Sequence, residues 1–381
     1  MKKCIVIPDS FKGSLDSIEI CELTKGKIQQ FFPECEVITL PVADGGEGTV
    51  ECFLHAMEGV RVCVQVSGPY MEPVNGFYGR FGDLAVVEMA AAAGLPMVEG
   101  NQNPSLTTTY GVGELIRHAV EHGARRVILG MGGSCTNDGG CGCAAALGVK
   151  FKNATGKEII PVGGTLEQIE SIDLSGAKQL LDGVEITAMC DVENPMHGPN
   201  GAAYIFSPQK GADEAMVAAL DHQLAALDLT IQKSLGIKSV APLAGAGAAG
   251  ALGAGVVAFL GATLKSGIET VLDIVEFDKK LHGADAVFTG EGKIDGQSLR
   301  GKVVIGVAKR AMKQNVPVYA VVGDVGDDAA GAYDMGVTAI FSINRVAVPF
   351  SIAKTRSRQD LLNTFEDIMR LMRSVEQRQP E

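Results

Sequence analysis

Six short segments of the chain concentrate carboxylates, hydroxyls and glycines. They read Asp9-Ser10-Phe11-Lys12-Gly13, Asp44-Gly45-Gly46-Glu47-Gly48-Thr49, Met131-Gly132-Gly133-Ser134-Cys135-Thr136-Asn137-Asp138-Gly139-Gly140, Asp191-Val192-Glu193-Asn194-Pro195, Gly290-Glu291-Gly292-Lys293-Ile294-Asp295 and Gly323-Asp324. A glycine-rich turn that opens a helix offers several backbone N–H groups to an anion, and the helix dipole adds to the attraction. Carboxylates beside such a turn can hold Mg²⁺ against phosphate oxygens. Amides, acids and one or two lysines suit phosphoryl transfer, where catalysis is mostly positioning and charge neutralisation. Any one segment is also an ordinary turn, because Asp and Gly are turn formers. Four of them follow predicted strands of one sheet, and in an open parallel sheet ligands bind beyond the carboxyl ends of the strands.

Other motifs point elsewhere and are weaker. Gly245-Ala246-Gly247-Ala248-Ala249-Gly250 fits the dinucleotide fingerprint, with Glu269 downstream in the place of the ribose-binding acid. Pro242 spoils the strand that should precede it, and the motif comes late in the chain, so a close-packed helix start is the better reading. An NAD(P)-dependent hydroxy-acid dehydrogenase therefore stays as an alternative, beside a non-catalytic small-molecule-binding protein. His118 and His122 have helical i, i+4 spacing, but Ala119 stands where a zinc protease carries its glutamate. Cys135, Cys141 and Cys143 lack paired C-x-x-C spacing and read as small buried residues. No P-loop and no H-R-D or D-F-G set occurs.

The positioning elements follow from periodicity. Residues 4–8 form a buried-type strand, and 15–32 a helix with Ser14 and Asp16 at its start and Pro33 at its stop. A strand over 37–40 and a helix over 49–57 complete a β-α-β-α opening. The last hundred residues repeat the grammar, with strands over 285–289, 316–322 and 338–343 and helices over 302–312 and 357–375. Such alternation predicts a parallel sheet covered on both faces. The middle differs: 62–66, 74–81 and 84–89 form an antiparallel meander, and a helix over 113–122 leads to strands over 126–130 and 184–190. The expected architecture is α/β, a doubly wound domain made from both chain ends with a mixed α/β domain inserted between them. Its first boundary falls near residue 65, and the return lies within 240–275.

Composition bounds the function. The chain has 381 residues, enough for two domains, and its 48 glycines imply many tight turns with close backbone approach. Nine cysteines, an odd number scattered through apolar segments, suggest reduced thiols in the cytoplasm. The opening apolar run is too short for a signal peptide, and no segment has the ~18 apolar residues that span a membrane. A net charge of −12 argues against a nucleic-acid surface. Positive potential for anionic substrates must then be local, from Mg²⁺, a few Lys or Arg, and helix-start amides.

In the order in which they occur, five of these segments, from Pro8-Asp9-Ser10-Phe11-Lys12-Gly13-Ser14-Leu15 through Pro41–Thr49, Gly132–Gly140 and Cys190–Pro195 to Thr289–Asp295, resemble the signature blocks of bacterial type I glycerate kinases. Phe206-Ser207-Pro208-Gln209-Lys210-Gly211-Ala212 and the 245–255 glycine run are similar to family segments too. Cys135 stands where alanine is usual, Ala251 interrupts a glycine run, and 323–327 is more acidic than the family leads one to expect. The resemblance implies ATP-dependent phosphorylation of D-glycerate, commonly at the 2-hydroxyl, in glyoxylate or sugar-acid breakdown. It also implies a flavodoxin-like domain (1–65 and 266–381) carrying the inserted domain (66–265), with the site in the cleft between them. On this reading Lys12, taken to stand at a helix start, meets a phosphate or the glycerate carboxylate, and Asp191 or Asp44 acts as general base or Mg²⁺ ligand. Asp9, Ser10, Gly45, Gly46, Glu47, Gly132, Gly133, Ser134, Thr136, Asn137, Asp138, Gly290, Glu291 and Arg300 are expected to bind substrate or nucleotide, and Glu291 and Asp295 to hold Mg²⁺–ATP or orient the acceptor hydroxyl.

Overall fold

The protein is described by a computed structural model covering residues 1–43 and 45–377; Asp44 lies outside the described residues. The chain divides into two compact units, one from residues 1–43, 55–57 and 268–377 and the other from 45–54 and 58–267.

The first unit is built on five parallel strands, in the order Val337–Ser342, Val318–Val322, Ala286–Gly290, Lys3–Pro8, Glu36–Thr39. Numbered along the chain within the sheet and read from Glu36–Thr39, that order is 2-1-3-4-5. Cys4, Ile5, Val6 and Ile7 are all almost fully buried, as a strand covered on both faces requires. Successive side chains alternate between faces. Cys4 and Val6, with Phe288 of the neighbouring strand, pack with Ile20 and Ile28 of the helix Ser17–Phe31 and with Leu361, Phe365 and Met369 of the helix Phe350–Glu376. Ile5 and Ile7 therefore face the other layer, where the helix Val303–Lys313 lies on the strands. Asp16 caps the helix Ser17–Phe31 by accepting the Glu19 N–H at 2.7 Å. The C-terminal helix begins seven residues before the predicted 357. Phe350 and Ile352 in its first turn are exposed, so no apolar stripe marks that turn in the sequence.

The second unit carries a six-stranded mixed sheet, in the order Thr263–Lys265, Glu185–Met189, Arg126–Gly130, Leu84–Glu88, Pro73–Phe81, Val60–Ser67. The expected meander is present: Val60–Ser67 pairs antiparallel with Pro73–Phe81, and that strand with Leu84–Glu88. Leu84–Glu88 then runs parallel to Arg126–Gly130, which turns the sheet from meander to α/β. A small antiparallel sheet, Lys150–Lys152 with Glu158–Ile159 and Ser171–Asp173, and the helix Glu214–Leu235 were not foreseen. The helix is nevertheless encoded locally. Asp213 caps it, Val217, Leu220, Leu224, Leu227 and Ile231 form its buried stripe, and Gly236 closes it in the left-handed conformation.

The 245–250 run is a packing device. No strand leads directly into it among the described residues; Gly247 opens the helical segment Ala248–Leu260, in which residues 249–251 turn through the left-handed region before the helix runs on. A Cβ on Gly250 would meet the Thr136 carbonyl at 2.0 Å, and one on Gly255 the Gly139 carbonyl at 2.2 Å. These glycines let the helix lie against the 131–140 turn. Among the described residues no helix is long and apolar enough to cross a membrane.

Candidate functional site

In the first unit the parallel register pairs Pro8 with Gly290, so Asp9 and Glu291 leave adjacent strands side by side. Asp9 N–H donates to the Gly290 carbonyl at 2.8 Å, and the Ser10 N–H to Asp9 Oδ1 at 2.6 Å. Gly290 is required where it stands, because a Cβ there would lie 2.0 Å from the Val321 carbonyl. Glu291 is buried, and its Oε1 has no hydrogen-bond partner among the described residues. Burial pushes its carboxyl up to about 7 against the pull of Ser298 and Lys302, and the nearby charges of Asp9 and Asp295 push the same way. Asp295 is half-buried and accepts from Gln297 N–H at 2.9 Å. Arg300 is exposed in the following turn, Ser298–Arg300. The 323–324 segment joins this edge: Gly323 N–H donates to the Glu291 carbonyl at 3.1 Å, and Asp324 pairs with Lys293 in a short parallel ladder.

Lys12 does not stand at a helix start. Phe11 N–H donates to the Leu15 carbonyl at 2.8 Å and Leu15 N–H returns to Phe11 at 3.2 Å, closing a small loop that holds Lys12 exposed. The helix begins five residues later, at Ser17. Phe11 and Leu15 are both buried, and their burial takes precedence over an earlier helix.

In the second unit two glycine turns touch backbone to backbone. Gly132 N–H donates to the Gly45 carbonyl at 2.9 Å, and a Cβ on Gly132 would sit 2.5 Å from Gly46 Cα. Of the three successive amides at residues 132–134, Gly132 has thus spent its donor. The Gly133 and Ser134 amides have no acceptor among the described residues, and Gly133 is exposed. Glu47 is exposed, and its carboxylate approaches Gly133, with Oε1 3.6 Å from where a Cβ would stand. Glu88 holds the 45–50 turn: its buried carboxylate accepts from Gly48 N–H at 3.2 Å and Val50 N–H at 2.6 Å.

Beyond Ser134 the turn goes inward. Thr136, Asn137 and Asp138 are each 0% exposed, so they shape the turn from inside. Asp138 accepts from the Thr109 N–H at 2.8 Å, the Thr109 hydroxyl at 2.9 Å, and the amides of Gly140 and Gly142 at 3.1 and 3.2 Å. Burial still raises its carboxyl above the usual range. Lys210 reaches in from the Pro208–Lys210 turn and donates to Ser134 Oγ and to the Thr136 carbonyl, both at 2.7 Å. Burial pulls its ammonium down to about 8. Asp191 is exposed at the end of the strand Glu185–Met189, with Oδ1 fixed by Ser266 Oγ at 3.1 Å and Gly267 N–H at 2.9 Å.

The sequence alone assigns no role to Lys210, within the 206–212 segment, or to Glu88. Glu88 left a signal, as the lone acid of the apolar run 84–93; Lys210 lies in a polar stretch and left none. Cys135, Cys141 and Cys143 are buried free thiols, as read from the sequence. His118 stacks on His122 at 3.9 Å and meets the Tyr78 hydroxyl through Nδ1 at 3.1 Å.

The chain matches the sequence profile described as the glycerate kinase family over residues 4–373. It is 46% identical over 344 residues to a glycerate kinase of Bacillus cereus, covering 90% of each chain. It is 45% identical over 344 residues to the glycerate 2-kinase of Escherichia coli K12, again with 90% of each covered. Its structure is similar to a crystal structure ascribed to glycerate kinase 2 of Salmonella typhimurium LT2, with a TM-score of 0.87, 40% identity and 99% of each chain covered.

Proposed function

The chain belongs to the glycerate kinase family, and we propose that it transfers the γ-phosphoryl group of ATP to D-glycerate, giving 2-phosphoglycerate in the cytoplasm during glyoxylate or sugar-acid breakdown. The observation that carries this reading is the family match across nearly the whole chain. The acceptor hydroxyl oxygen attacks the γ-phosphorus, the bond to the bridging oxygen breaks, and ADP leaves. The hydroxyl proton passes to a carboxylate, for which Asp191 and Asp44 are the candidates; the fixed Oδ1 of Asp191 supports an oriented side chain. Lys12 meets a phosphate or the glycerate carboxylate. The amides of Gly133 and Ser134 receive an anion, while Asp138, Thr136 and Asn137 set the shape of that turn. Asp9, Ser10 and Arg300 contact nucleotide or substrate at the other edge.

Among the described residues no three acid, histidine or cysteine side chains form a ready metal cage. A nucleotide-borne Mg²⁺ needs only one or two carboxylates, because phosphates and water complete its shell. Glu291, with its buried and unpartnered Oε1, and Asp295 fit that demand. When bound, the ion neutralises charge on the β- and γ-phosphates.

The same reading makes residues 1–65 and 266–381 a flavodoxin-like domain and 66–265 its insertion. The 2-1-3-4-5 strand order supports the first of these. A coupled assay with ATP, Mg²⁺ and D-glycerate tests the activity. ADP release that requires D-glycerate is expected, and none above background with D-glycerate or close analogues overturns the reading.

A further inference from the structure

Lys210 is a cation in an unusual place. Its residue is 1% exposed, and no carboxylate lies within ion-pair distance of Nζ among the described residues. Buried ammonium groups are ordinarily paired, because removal from water penalises the charged form heavily. Here two neutral oxygens do the holding, Ser134 Oγ and the Thr136 carbonyl, and both belong to the 131–140 turn. The nearest acid, Asp138, is committed to Thr109, Gly140 and Gly142.

The turn also carries a surplus of donors. The Gly133 and Ser134 amides have no acceptor among the described residues. Asn137 Nδ2, in a residue 0% exposed, has none either, and the neighbouring Thr136 Oγ1 is likewise buried without a partner. A buried positive charge held by this turn, and two open amides on the turn itself, suit an oxyanion. The carboxylate of Glu47 beside Gly133 bounds that site on one side.

We propose that Lys210 is the positioning residue of an oxyanion site at Gly133–Ser134, pinning Ser134 Oγ and the Thr136 carbonyl so that the two open amides stay in place, and supplying the charge that the bound oxyanion balances. The proposal rests on the phosphoryl-transfer reading, which provides two such oxyanions: the carboxylate of the hydroxy acid and the phosphates of the nucleotide.

The test compares wild type, Lys210→Met and Lys210→Arg. Binding of D-glycerate and of a non-hydrolysable Mg²⁺–ATP analogue is measured separately by calorimetry, and KM and kcat are measured for both substrates. Lys210→Met is expected to weaken one ligand at least tenfold in both Kd and KM, leaving the other ligand and kcat within about threefold. Lys210→Arg should recover most of that loss, and the ligand affected identifies the oxyanion. Unchanged binding of both ligands by a folded Lys210→Met overturns the proposal. So does an equal loss in both ligands that follows a fall in Tm and is not rescued by arginine, since that is what a merely structural lysine would give. If Lys210→Met does not fold, Ser134→Ala, which removes one of the two oxygens holding Nζ, should weaken one ligand severalfold and leave the other unchanged; wild-type affinities for both would overturn it. A wild-type protein without turnover sinks the kinase reading alone, because the binding arms need no turnover and still decide the role of the lysine.

Discussion

The two units carry edges built by one device and furnished with different groups. In each, parallel strands end in glycine turns that pack backbone against backbone, Gly290 on Val321 in the first and Gly132 on Gly46 in the second. The first edge then gathers acids, Asp9, Glu291 and Asp295, close enough that two of them raise the carboxyl of the third. The second gathers open amides and a buried ammonium. A chain of net charge −12 can thus receive anionic substrates without a basic surface. One edge is suited to a cation that travels with phosphates, the other to an oxyanion directly. Glu291 of the first edge also differs from Asp138 of the second. Asp138 is saturated by donors of its own chain, whereas Glu291 leaves an oxygen open.

The sharpest way to break this contrast is to remove an acid from each edge. Asp138→Ala strands four donors in the interior and should cost on the order of 4 kcal/mol, read as a large fall in the denaturant midpoint. Asp295→Ala, at a half-buried position, should cost under about 1 kcal/mol. Equal losses would erase the distinction between a structural acid and an open one. Asp191→Asn and Asp44→Asn come next. Loss of a base or metal ligand should lower kcat by about 10²–10³-fold, and near-wild-type kcat in both removes the carboxylate roles.

Glu291→Gln has a smaller effect with a defined sign. A carboxyl raised from 4.5 to about 7 keeps a proton in the folded state that the unfolded chain has lost. Stability therefore falls as pH rises through that window, by ~3 kcal/mol once above it. Glutamine escapes this penalty, so the variant should be more stable than wild type at pH 8 and equal to it near pH 4, as thermal melts across pH would register. A difference independent of pH contradicts the buried, open carboxyl. Gly132→Ala, whose methyl meets Gly46 Cα at 2.5 Å, should cost about 1–3 kcal/mol while weakening ligand binding. An alanine variant with unaltered stability and binding would mean that the two turns are free to part.

Much of this was legible because it is local. The strand-turn-helix grammar of both chain ends, the meander and the Asp16 cap follow from periodicity and capping chemistry. The strand-end turns were legible as types and spacings, those at Asp9 and Glu291 above all, since each follows a buried strand. What escaped depends on long-range packing. Nothing near Lys210 in sequence tells that Ser134 Oγ, 76 residues away, accepts its hydrogen bond. Gly132 looked like an anion donor until Gly45 claimed its N–H. Lys12 looked like a helix start until Phe11 and Leu15 closed their loop.

The central claim is transfer of a phosphoryl group to a glycerate hydroxyl, and phosphorus NMR of the reaction mixture tests it most directly. With ATP, Mg²⁺ and D-glycerate, one phosphomonoester should appear for each ADP, with its phosphorus coupled to the single C2 proton. ADP accompanied only by inorganic phosphate, or a spectrum that stays that of ATP, would contradict it.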